Sequence, residues 1–199
     1  EFSTGSTLLN TSTGSIGRRA PKLAFLFTGQ GAQHVGMGKA LYETHPAFRL
    51  WMDRCAALFE SHIERPLLDF LWTGDELHQT GYTQPALFAI EYSLAKCFEA
   101  WGVLPDMLLG HSIGEYAAAC IAEVFSLEEG IRLVAARGRL MQSLPTGGQM
   151  VSVAADEATV SAVLVGDNSN VSIAAVNGPQ SIVVSGDGAA VDAVVERLQ

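Results

Sequence analysis

The segment Gly110-His111-Ser112-Ile113-Gly114 directly follows the apolar run Met107-Leu108-Leu109, and it limits the fold of this chain more than any other feature. The apolar run predicts a short buried strand, and the residues from Glu115 onward predict a helix. A strand and a helix joined over so few residues need a sharp turn at Ser112, so the flanking positions must be small. The two glycines of the segment meet that requirement, and the segment therefore predicts a strand–turn–helix unit.

A serine on such a turn is suited to one kind of chemistry. The turn lifts the Ser112 hydroxyl clear of the backbone at the positive end of a helix, where backbone N–H groups can hold a developing oxyanion. This geometry serves acyl transfer through an acyl-serine intermediate. Patterns of the form Gly-x-Ser-x-Gly also arise by chance in glycine-rich chains, but the predicted strand and helix around this one favour the catalytic interpretation.

Composition disfavours several other classes of function. The chain has 199 residues, 48% apolar and 17% charged, which predicts a well-buried globular protein. The net charge of −9 disfavours nonspecific nucleic-acid binding, so an anionic substrate needs a local cation. No apolar stretch reaches the roughly 18 residues of a membrane span. The three cysteines fit neither a disulfide framework nor a metal site, and no signal peptide is visible, which predicts a cytoplasmic location.

The sequence divides into three predicted parts: a linker or tail over residues 1–21, the first part of an α/β core over 22–146, and a smaller subdomain over 147–199. The tail is rich in Ser, Thr and Gly and lacks periodicity. Apolar spacing in the core predicts one further buried strand and three helices, over residues 23–27, 46–62, 85–101 and 126–143. The last helix opens with a capping box, Ser126-Leu127-Glu128-Glu129.

The pattern changes in the third part. Three predicted strands, 150–154, 171–176 and 181–185, alternate with helices over 156–164 and from 189 to the last residue. This β-α-β-β-α order lacks one strand of a ferredoxin-like unit, and we expect the chain to be cut in mid-pattern at Gln199. Helices alternating with buried strands before that point predict an α/β fold with a parallel sheet.

A glycine-rich turn, Gly29-Gln30-Gly31-Ala32-Gln33, directly follows the first predicted strand. Glycines there allow the backbone to approach a ligand closely. The N–H group of Gln30 can then pair with that of Ile113 as the two donors of an oxyanion hole. Such turns are common after strands, so an ordinary strand-to-helix turn is the alternative.

Arg137 is the candidate cation, because its neighbours three and four residues away on the predicted helix are apolar. An arginine in an apolar stripe is costly unless it meets an anion, and its planar fork suits a carboxylate held by two parallel hydrogen bonds. The alternative is a side chain that covers apolar surface and keeps its charge in water.

A serine nucleophile also needs a base, and none of the five histidines is a convincing one. His111 is adjacent to Ser112 on a sharp turn, where neighbouring side chains point apart. The others precede the elbow in predicted loops or helices, where a structural or solvated role is favoured; they are His34, His45, His62 and His78.

Several motifs in this order resemble the acyltransferase domains of modular polyketide synthases and, more distantly, the malonyl-CoA:acyl-carrier-protein transacylases. The matching segments are Phe25-Leu26-Phe27-Thr28-Gly29-Gln30-Gly31-Ala32-Gln33, Tyr82-Thr83-Gln84-Pro85-Ala86-Leu87-Phe88-Ala89, Gly110-His111-Ser112-Ile113-Gly114-Glu115-Tyr116, Ala136-Arg137-Gly138 with Met141-Gln142, and Asn177-Gly178-Pro179. The resemblance covers about residues 22–199. The first residues, Glu1-Phe2-Ser3-Thr4-Gly5, resemble the end of a linker from a preceding ketosynthase domain.

The resemblance implies a hydrolase-like α/β core with a ferredoxin-like insert, and transfer of an acyl group from coenzyme A to the phosphopantetheine thiol of an acyl carrier protein. It implies Ser112 as the nucleophile, the backbone N–H groups of Gln30 and Ile113 as the oxyanion hole, and Arg137 as the group that holds the free carboxylate of the extender unit. Its further substrate-binding positions are His111, Gln84, Met141 and Asn177. It implies no bound cofactor and no metal, with the coenzyme A thioester as the substrate.

The family's catalytic histidine lies beyond the ferredoxin-like insert, so we expect this chain to be about two-thirds of such a domain, with little turnover by itself. The expected partners are malonyl-CoA, an acyl carrier protein, the preceding ketosynthase and the missing C-terminal part of the domain; neither nucleic acid nor a membrane is expected. Ile113 and residues 80–85 resemble the malonyl-selective branch, which predicts a malonyl extender. The alternatives are a serine esterase or lipase-like hydrolase and a non-catalytic fragment.

Overall fold

Two short parallel strands carry the segments that form the site. In the computed structural model, which describes residues 21–165 and 170–198, β1 (Ala24–Phe27) pairs with β2 (Met107–Gly110), and Phe27 lies opposite Gly110. The strands therefore end side by side, and the turns that follow them start next to each other. The predicted linker lies outside the described residues apart from Pro21.

The two faces of this strand pair differ in burial. Phe27 is buried, and Phe25 and Leu108 pack against the same core cluster. Successive side chains of a strand point to opposite faces, and the intervening residues, Leu26 and Leu109, are register partners that are 72% and 62% exposed. The pair thus has one face in the core and one apolar face open to solvent.

One long helix occupies the centre of the first unit. The helices of this unit are α1 (Lys39–Thr44), α2 (Pro46–Phe59), α3 (Leu67–Thr73), α4 (Thr80–Ala100), α5 (Gly114–Ile121) and α6 (Leu127–Gln142), with a 3₁₀ turn at Asp75–His78. A run of consecutive residues in α4, from Thr83 to Ser93, is buried. Such a helix is buried on all sides, and α4 indeed contacts α2, α5 and α6.

The predicted start of α4 at Pro85 is wrong, because the helix begins at Thr80 and holds the proline inside it. The carbonyl of Gln79 accepts hydrogen bonds from the N–H groups of Tyr82 and Thr83, which closes the first turn before the proline is reached. Two short helices, α1 and α3, were not predicted. Each has fewer than eight residues, too few to display helical periodicity.

The capping box of α6 is confirmed. The Ser126 N–H donates to Glu129 Oε2 at 2.8 Å, and the Glu129 N–H donates back to Ser126 Oγ at 3.2 Å. These two bonds satisfy backbone donors that a helix start otherwise leaves open. They fix the register of α6, and this register determines where Arg137 falls on the helix.

The chain forms two compact units, which divide between Gln142 and Ser143. The second unit contains, in chain order, β3 (Gly148–Val153), α7 (Glu157–Leu164), β4 (Ser172–Gly178), β5 (Ser181–Asp187) and α8 (Gly188–Arg197). Its antiparallel sheet has the order β3-β5-β4, and its own buried cluster includes Val160, Ile182 and Val191. The predicted β-α-β-β-α order is confirmed.

Candidate active site

The turn between β2 and α5 is strained at Ser112, as the sequence predicts. Ser112 has a φ of 53°, a left-handed conformation that non-glycine residues rarely adopt. A Cβ atom at Gly114 would lie 2.5 Å from the Thr28 carbonyl oxygen, and one at Gly110 would overlap the backbone of Glu115. Both glycines are therefore required by close backbone contacts.

Two backbone donors are free beside the serine. Within the described ranges 21–165 and 170–198, neither the Gln30 N–H nor the Ile113 N–H has a hydrogen-bond acceptor. The turn that carries Gln30 is closed by a bond from the Ala32 N–H to the Gly29 carbonyl, and Gly31 adopts a φ of 115°. The two turns touch, because the His111 N–H donates to the Phe27 carbonyl at 2.9 Å. This is an arrangement in which two N–H groups can serve one oxyanion.

The Arg137 guanidinium points inward, toward the serine. Its Nη1 donates to Gln84 Oε1 at 2.6 Å, and its Nη2 lies 3.5 Å from Ser112 Oγ, at the outer limit of a hydrogen bond. The guanidinium carbon lies 5.8 Å from the centre of the Tyr116 ring. No carboxylate in the described part of the chain forms an ion pair with Arg137, so the cation is available to an anionic ligand.

Gln84 holds this arginine from a fully buried position. Its Nε2 donates to Thr80 Oγ1 at 3.0 Å and to Met141 Sδ at 3.2 Å. The Thr80 hydroxyl in turn donates to Gln30 Oε1 at 2.8 Å. A series of hydrogen bonds therefore links the glycine turn, which carries the free Gln30 N–H, to the Arg137 guanidinium beside Ser112.

The helices that carry Gln84 and Arg137 approach each other closely at two glycines. A Cβ atom at Gly138 of α6 would lie 3.3 Å from the Gly81 carbonyl oxygen of α4, tighter than an ordinary side-chain contact. The Gly81 N–H donates to Gln142 Oε1 at 3.1 Å. The close contact lies one residue from Arg137 on α6.

The five histidines have other surroundings. His111 packs its ring over the glycine turn, since a Cβ atom at Gly29 would lie 2.5 Å from His111 Nδ1. His78 Nδ1 lies 3.4 Å from Gln33 Nε2, and the His45 ring packs against Trp101. Among the described residues no histidine forms a hydrogen bond with Ser112.

The cysteines are not competing nucleophiles. Cys55, Cys97 and Cys120 are free thiols in the buried core. Burial raises the pKa of the Cys55 and Cys120 thiols to about 12. A thiol attacks as its thiolate, so these two are unreactive near neutral pH.

Asn177 belongs to the second unit. It lies in β4, next to the turn of Gly178 and Pro179, where it lines a cavity of about 460 Å³ together with Asp156 and Glu157. Asp156 caps α7, because its carboxylate accepts the Thr159 N–H at 2.7 Å. That bond holds the pKa of the Asp156 carboxyl below its usual range.

Sequence reasoning missed Glu91 beside the site, and it included Thr80 only as part of the segment of residues 80–85, without a role of its own. Thr80 links Gln30 to Gln84, and Glu91 accepts hydrogen bonds from Thr28, the residue before the glycine turn. The signal for Glu91 was available, since it is a carboxylate within the apolar segment Phe88-Ala89-Ile90-Glu91-Tyr92. Thr80 gave no comparable signal.

Within the described ranges, no group of three or more side chains is placed to bind a metal ion, and no helix is long and apolar enough to cross a bilayer.

Comparison with known proteins places this chain in a family. The sequence profile described as the acyl transferase domain matches residues 24–199. The chain belongs to the acyl transferase domain family. It is 50% identical to the acyltransferase domain from the second module of the salinomycin polyketide synthase, with a TM-score of 0.85 over 90% of this chain and 42% of that one. The fold is therefore a hydrolase-like α/β core with a ferredoxin-like subdomain, as the sequence predicts.

Two further relatives show the range of the family. The chain is 46% identical over 197 residues to mycoketide-CoA synthase of Mycobacterium tuberculosis, a match that covers 98% of this chain and 5% of that protein. It is 32% identical to the malonyl CoA-acyl carrier protein transacylase of Coxiella burnetii, with a TM-score of 0.80 over 89% of this chain and 57% of that one. The chain thus spans a small part of the curated relative and about half of each solved structure.

Proposed function

We propose that this chain forms the nucleophile-bearing part of an acyltransferase that loads a malonyl extender unit from coenzyme A onto the phosphopantetheine thiol of an acyl carrier protein. The observation that carries the proposal is the 3.5 Å approach of Arg137 Nη2 to Ser112 Oγ. A fixed cation beside a nucleophile suits an acyl group with a free carboxylate at its far end.

In the first half of the proposed reaction, Ser112 Oγ attacks the thioester carbonyl. The N–H groups of Gln30 and Ile113 stabilise the oxyanion that develops there. The Oγ–C bond forms, the C–S bond breaks, and coenzyme A leaves as a thiol with the proton that Ser112 gives up. Arg137 holds the malonyl carboxylate throughout, so the reacting carbonyl stays aligned with the serine.

In the second half, the carrier-protein thiol attacks the acyl-serine ester. The C–S bond of the product forms, the Oγ–C bond breaks, and the proton of the thiol returns to Ser112. The relatives support this acceptor, since they include a domain of a polyketide synthase and an acyl carrier protein transacylase. The same relationship supports a ketosynthase as a neighbouring domain.

The malonyl preference is supported by Arg137 and by the segment of residues 80–85. Thr80 and Gln84 from that segment hold the arginine in place. Ile113 also resembles the malonyl-selective branch, but its side chain is fully buried in the core, so a contact between Ile113 and an α-methyl group does not support the preference. The malonyl preference therefore rests on the binding of the malonyl carboxylate by Arg137, while Ile113 contributes its backbone N–H to the oxyanion hole.

A serine hydrolase is the second candidate, because it shares the strained serine turn. Arg137 disfavours this candidate, because a simple ester or lipid substrate has no carboxylate that a cation beside the nucleophile would bind. A non-catalytic role is the third candidate. It predicts no acyl-serine at all, which separates it from both enzymes.

Radiolabelled malonyl-CoA, offered to the complete polypeptide with and without a carrier protein, tests the three candidates. The proposal predicts a label on Ser112 that moves to the carrier thiol when the carrier is added. Release of free malonate at the same rate with or without the carrier would indicate a hydrolase. No label on Ser112 under either condition would rule out both enzymes.

A further inference from the structure

Glu91 is a carboxyl group placed in the middle of the central helix α4. It is 9% exposed, and its Oε1 accepts two hydrogen bonds from one residue: the Thr28 N–H donates at 2.7 Å and the Thr28 hydroxyl at 2.6 Å. Its Oε2 is buried and has no hydrogen-bond partner among the described residues. Burying such a group is costly, and burial raises its pKa to about 7 although both Thr28 bonds act in the opposite direction.

Thr28 is the residue at which strand pairing stops. The last pair of the register joins Phe27 to Gly110, and the Phe27 carbonyl accepts the His111 N–H. The next N–H along the chain, that of Thr28, has no strand partner, and Glu91 is its acceptor. Glu91 therefore replaces β2 as the hydrogen-bond partner of the chain at the point where β1 ends and the glycine turn begins.

The other side of Thr28 rests on the serine turn. A Cβ atom at Gly114 would lie 2.5 Å from the Thr28 carbonyl oxygen and 2.6 Å from that of Phe27. Thr28 is thus held between Glu91 on one side and Gly114 of the serine turn on the other. Gln30 lies two residues further along the chain, so a shift of Thr28 moves the Gln30 N–H relative to that of Ile113.

We infer that Glu91 is a positioning residue, which fixes Thr28 so that the Gln30 and Ile113 N–H groups converge on one oxyanion. The inference rests on the proposed function, because only a reaction at Ser112 uses those donors together. A purely structural role would require only that the Thr28 N–H be satisfied. Such a role predicts lost stability on substitution, with no selective effect on the chemical step.

Glu91→Leu in the complete polypeptide tests this, with kcat and KM measured for acylation by malonyl-CoA. Loss of one oxyanion donor costs about 10²–10³-fold in kcat, so a misplaced donor should cost about 10–100-fold. KM should stay within about twofold, because the donors act on the transition state rather than on the bound substrate. Glu91→Gln keeps an acceptor oxygen of the same shape and should restore most of kcat.

Two further variants separate position from stability. Phe59→Leu removes a ring that packs against Phe88 of α4 in the same core. It should lower stability but leave kcat near the wild-type value. Thr28→Val removes the hydroxyl bond but keeps the N–H bond, so it should lower kcat less than Glu91→Leu does. It also provides the test if Glu91→Leu does not fold.

Hydrogen exchange at the amides of Ala32 and His111, which donate to the Gly29 and Phe27 carbonyls and so hold the glycine turn and the serine turn, gives a readout that does not need activity. Faster exchange in Glu91→Leu and near-normal exchange in Glu91→Gln are the expected results. Unchanged exchange, an unchanged kcat in Glu91→Leu, or no rescue by glutamine would overturn the inference. If the wild-type protein forms no acyl-serine at all, the proposed function fails, while the exchange experiment still decides whether Glu91 holds the turn.

Discussion

The Arg137 guanidinium lies 3.5 Å from the Ser112 hydroxyl, although the two residues belong to different elements and are 25 positions apart in the sequence. The buried side chain of Gln84 fixes the guanidinium through a 2.6 Å bond. An anion bound at Arg137 therefore sits next to the nucleophile before any reaction starts. The cation is thus preorganised for a carboxylate at that position.

Ser112→Ala should abolish covalent acylation by malonyl-CoA in the complete polypeptide. Alanine lacks the hydroxyl that forms the ester, and intact-mass spectrometry measures the adduct directly. Ser61→Ala, at an exposed serine, is the matched control and should keep the adduct. A malonyl mass shift that survives in Ser112→Ala would place the nucleophile elsewhere.

Arg137→Ala should reduce the preference for malonyl-CoA over acetyl-CoA by one to two orders of magnitude. A charge-assisted hydrogen-bonded pair contributes about 1.5–3 kcal/mol. Arg137→Lys keeps the charge but loses the two-pronged geometry, so it should recover part of the preference. Competition between the two thioesters measures it, with the exposed Arg139→Ala as control. An unchanged ratio in Arg137→Ala would mean that the arginine only covers apolar surface.

Gln84→Leu should weaken the same preference through Arg137. Leucine fills similar space but removes the acceptor at 2.6 Å from Nη1. Residues in one hydrogen-bond network couple by about 0.5–3 kcal/mol, so the double variant Gln84→Leu/Arg137→Ala should lose little more than Arg137→Ala alone. Additive losses in this double-mutant cycle would show that Gln84 does not act through the arginine.

Methylmalonyl-CoA should load more slowly than malonyl-CoA, because residues 80–85 resemble the malonyl-selective branch of the family; a site that rejects one methyl group discriminates by about 10–200-fold. Competition between the two thioesters for Ser112 measures the ratio. Equal loading, or an excess of methylmalonyl, would mean that residues 80–85 do not report extender choice in this chain.

Glu91 should make the stability of the protein depend on pH between about 4.5 and 7. Burial raises its folded-state pKa from 4.5 to about 7, so across that window the folded state binds a proton that the unfolded state has released. The free energy of unfolding should therefore fall as the pH rises through the window, by on the order of 2–3 kcal/mol from this group.

The difference between wild type and Glu91→Gln, measured by denaturant titration at several pH values, isolates this contribution. The carboxyls with lowered pKa, Glu128, Glu129 and Asp156, lose their contribution to stability at more acidic pH and cancel in the difference. A difference that does not change between pH 4.5 and 7 would contradict the raised pKa.

Local patterns predicted the parts of this structure that local forces determine. The turn at Ser112 follows from two glycines between an apolar strand and a helix, and the start of α6 follows from the reciprocal bonds of Ser126 and Glu129. The predicted pairing of the Gln30 and Ile113 N–H groups in one oxyanion hole requires the glycine turn to lie beside the serine turn, and the register of β1 with β2 brings the two turns side by side.

Contacts between distant residues were not predictable in the same way. The partners of Glu91 and Arg137 lie 63 and 53 positions away, so no short window contains both members of either pair. Gln84 was expected to bind substrate, and the structure instead shows it buried and bonded to Arg137; whether it also meets substrate stays a prediction. The early start of α4 was missed because proline usually marks the first turn of a helix.

Gly138, a residue without a functional group, lies next to Arg137 and limits how closely α6 packs against the Gly81 backbone of α4. A Cβ atom at Gly138 would lie 3.3 Å from the Gly81 carbonyl oxygen, so the neighbouring backbone would have to move by a few tenths of an ångström, whereas a Cβ atom at Gly81 would meet Gln142 at ordinary contact distance. A single methyl group added at Gly138 would therefore shift the helix that carries Arg137, with every polar residue of the site unchanged. A comparison of related domains that aligns only their polar motifs would not detect such a change.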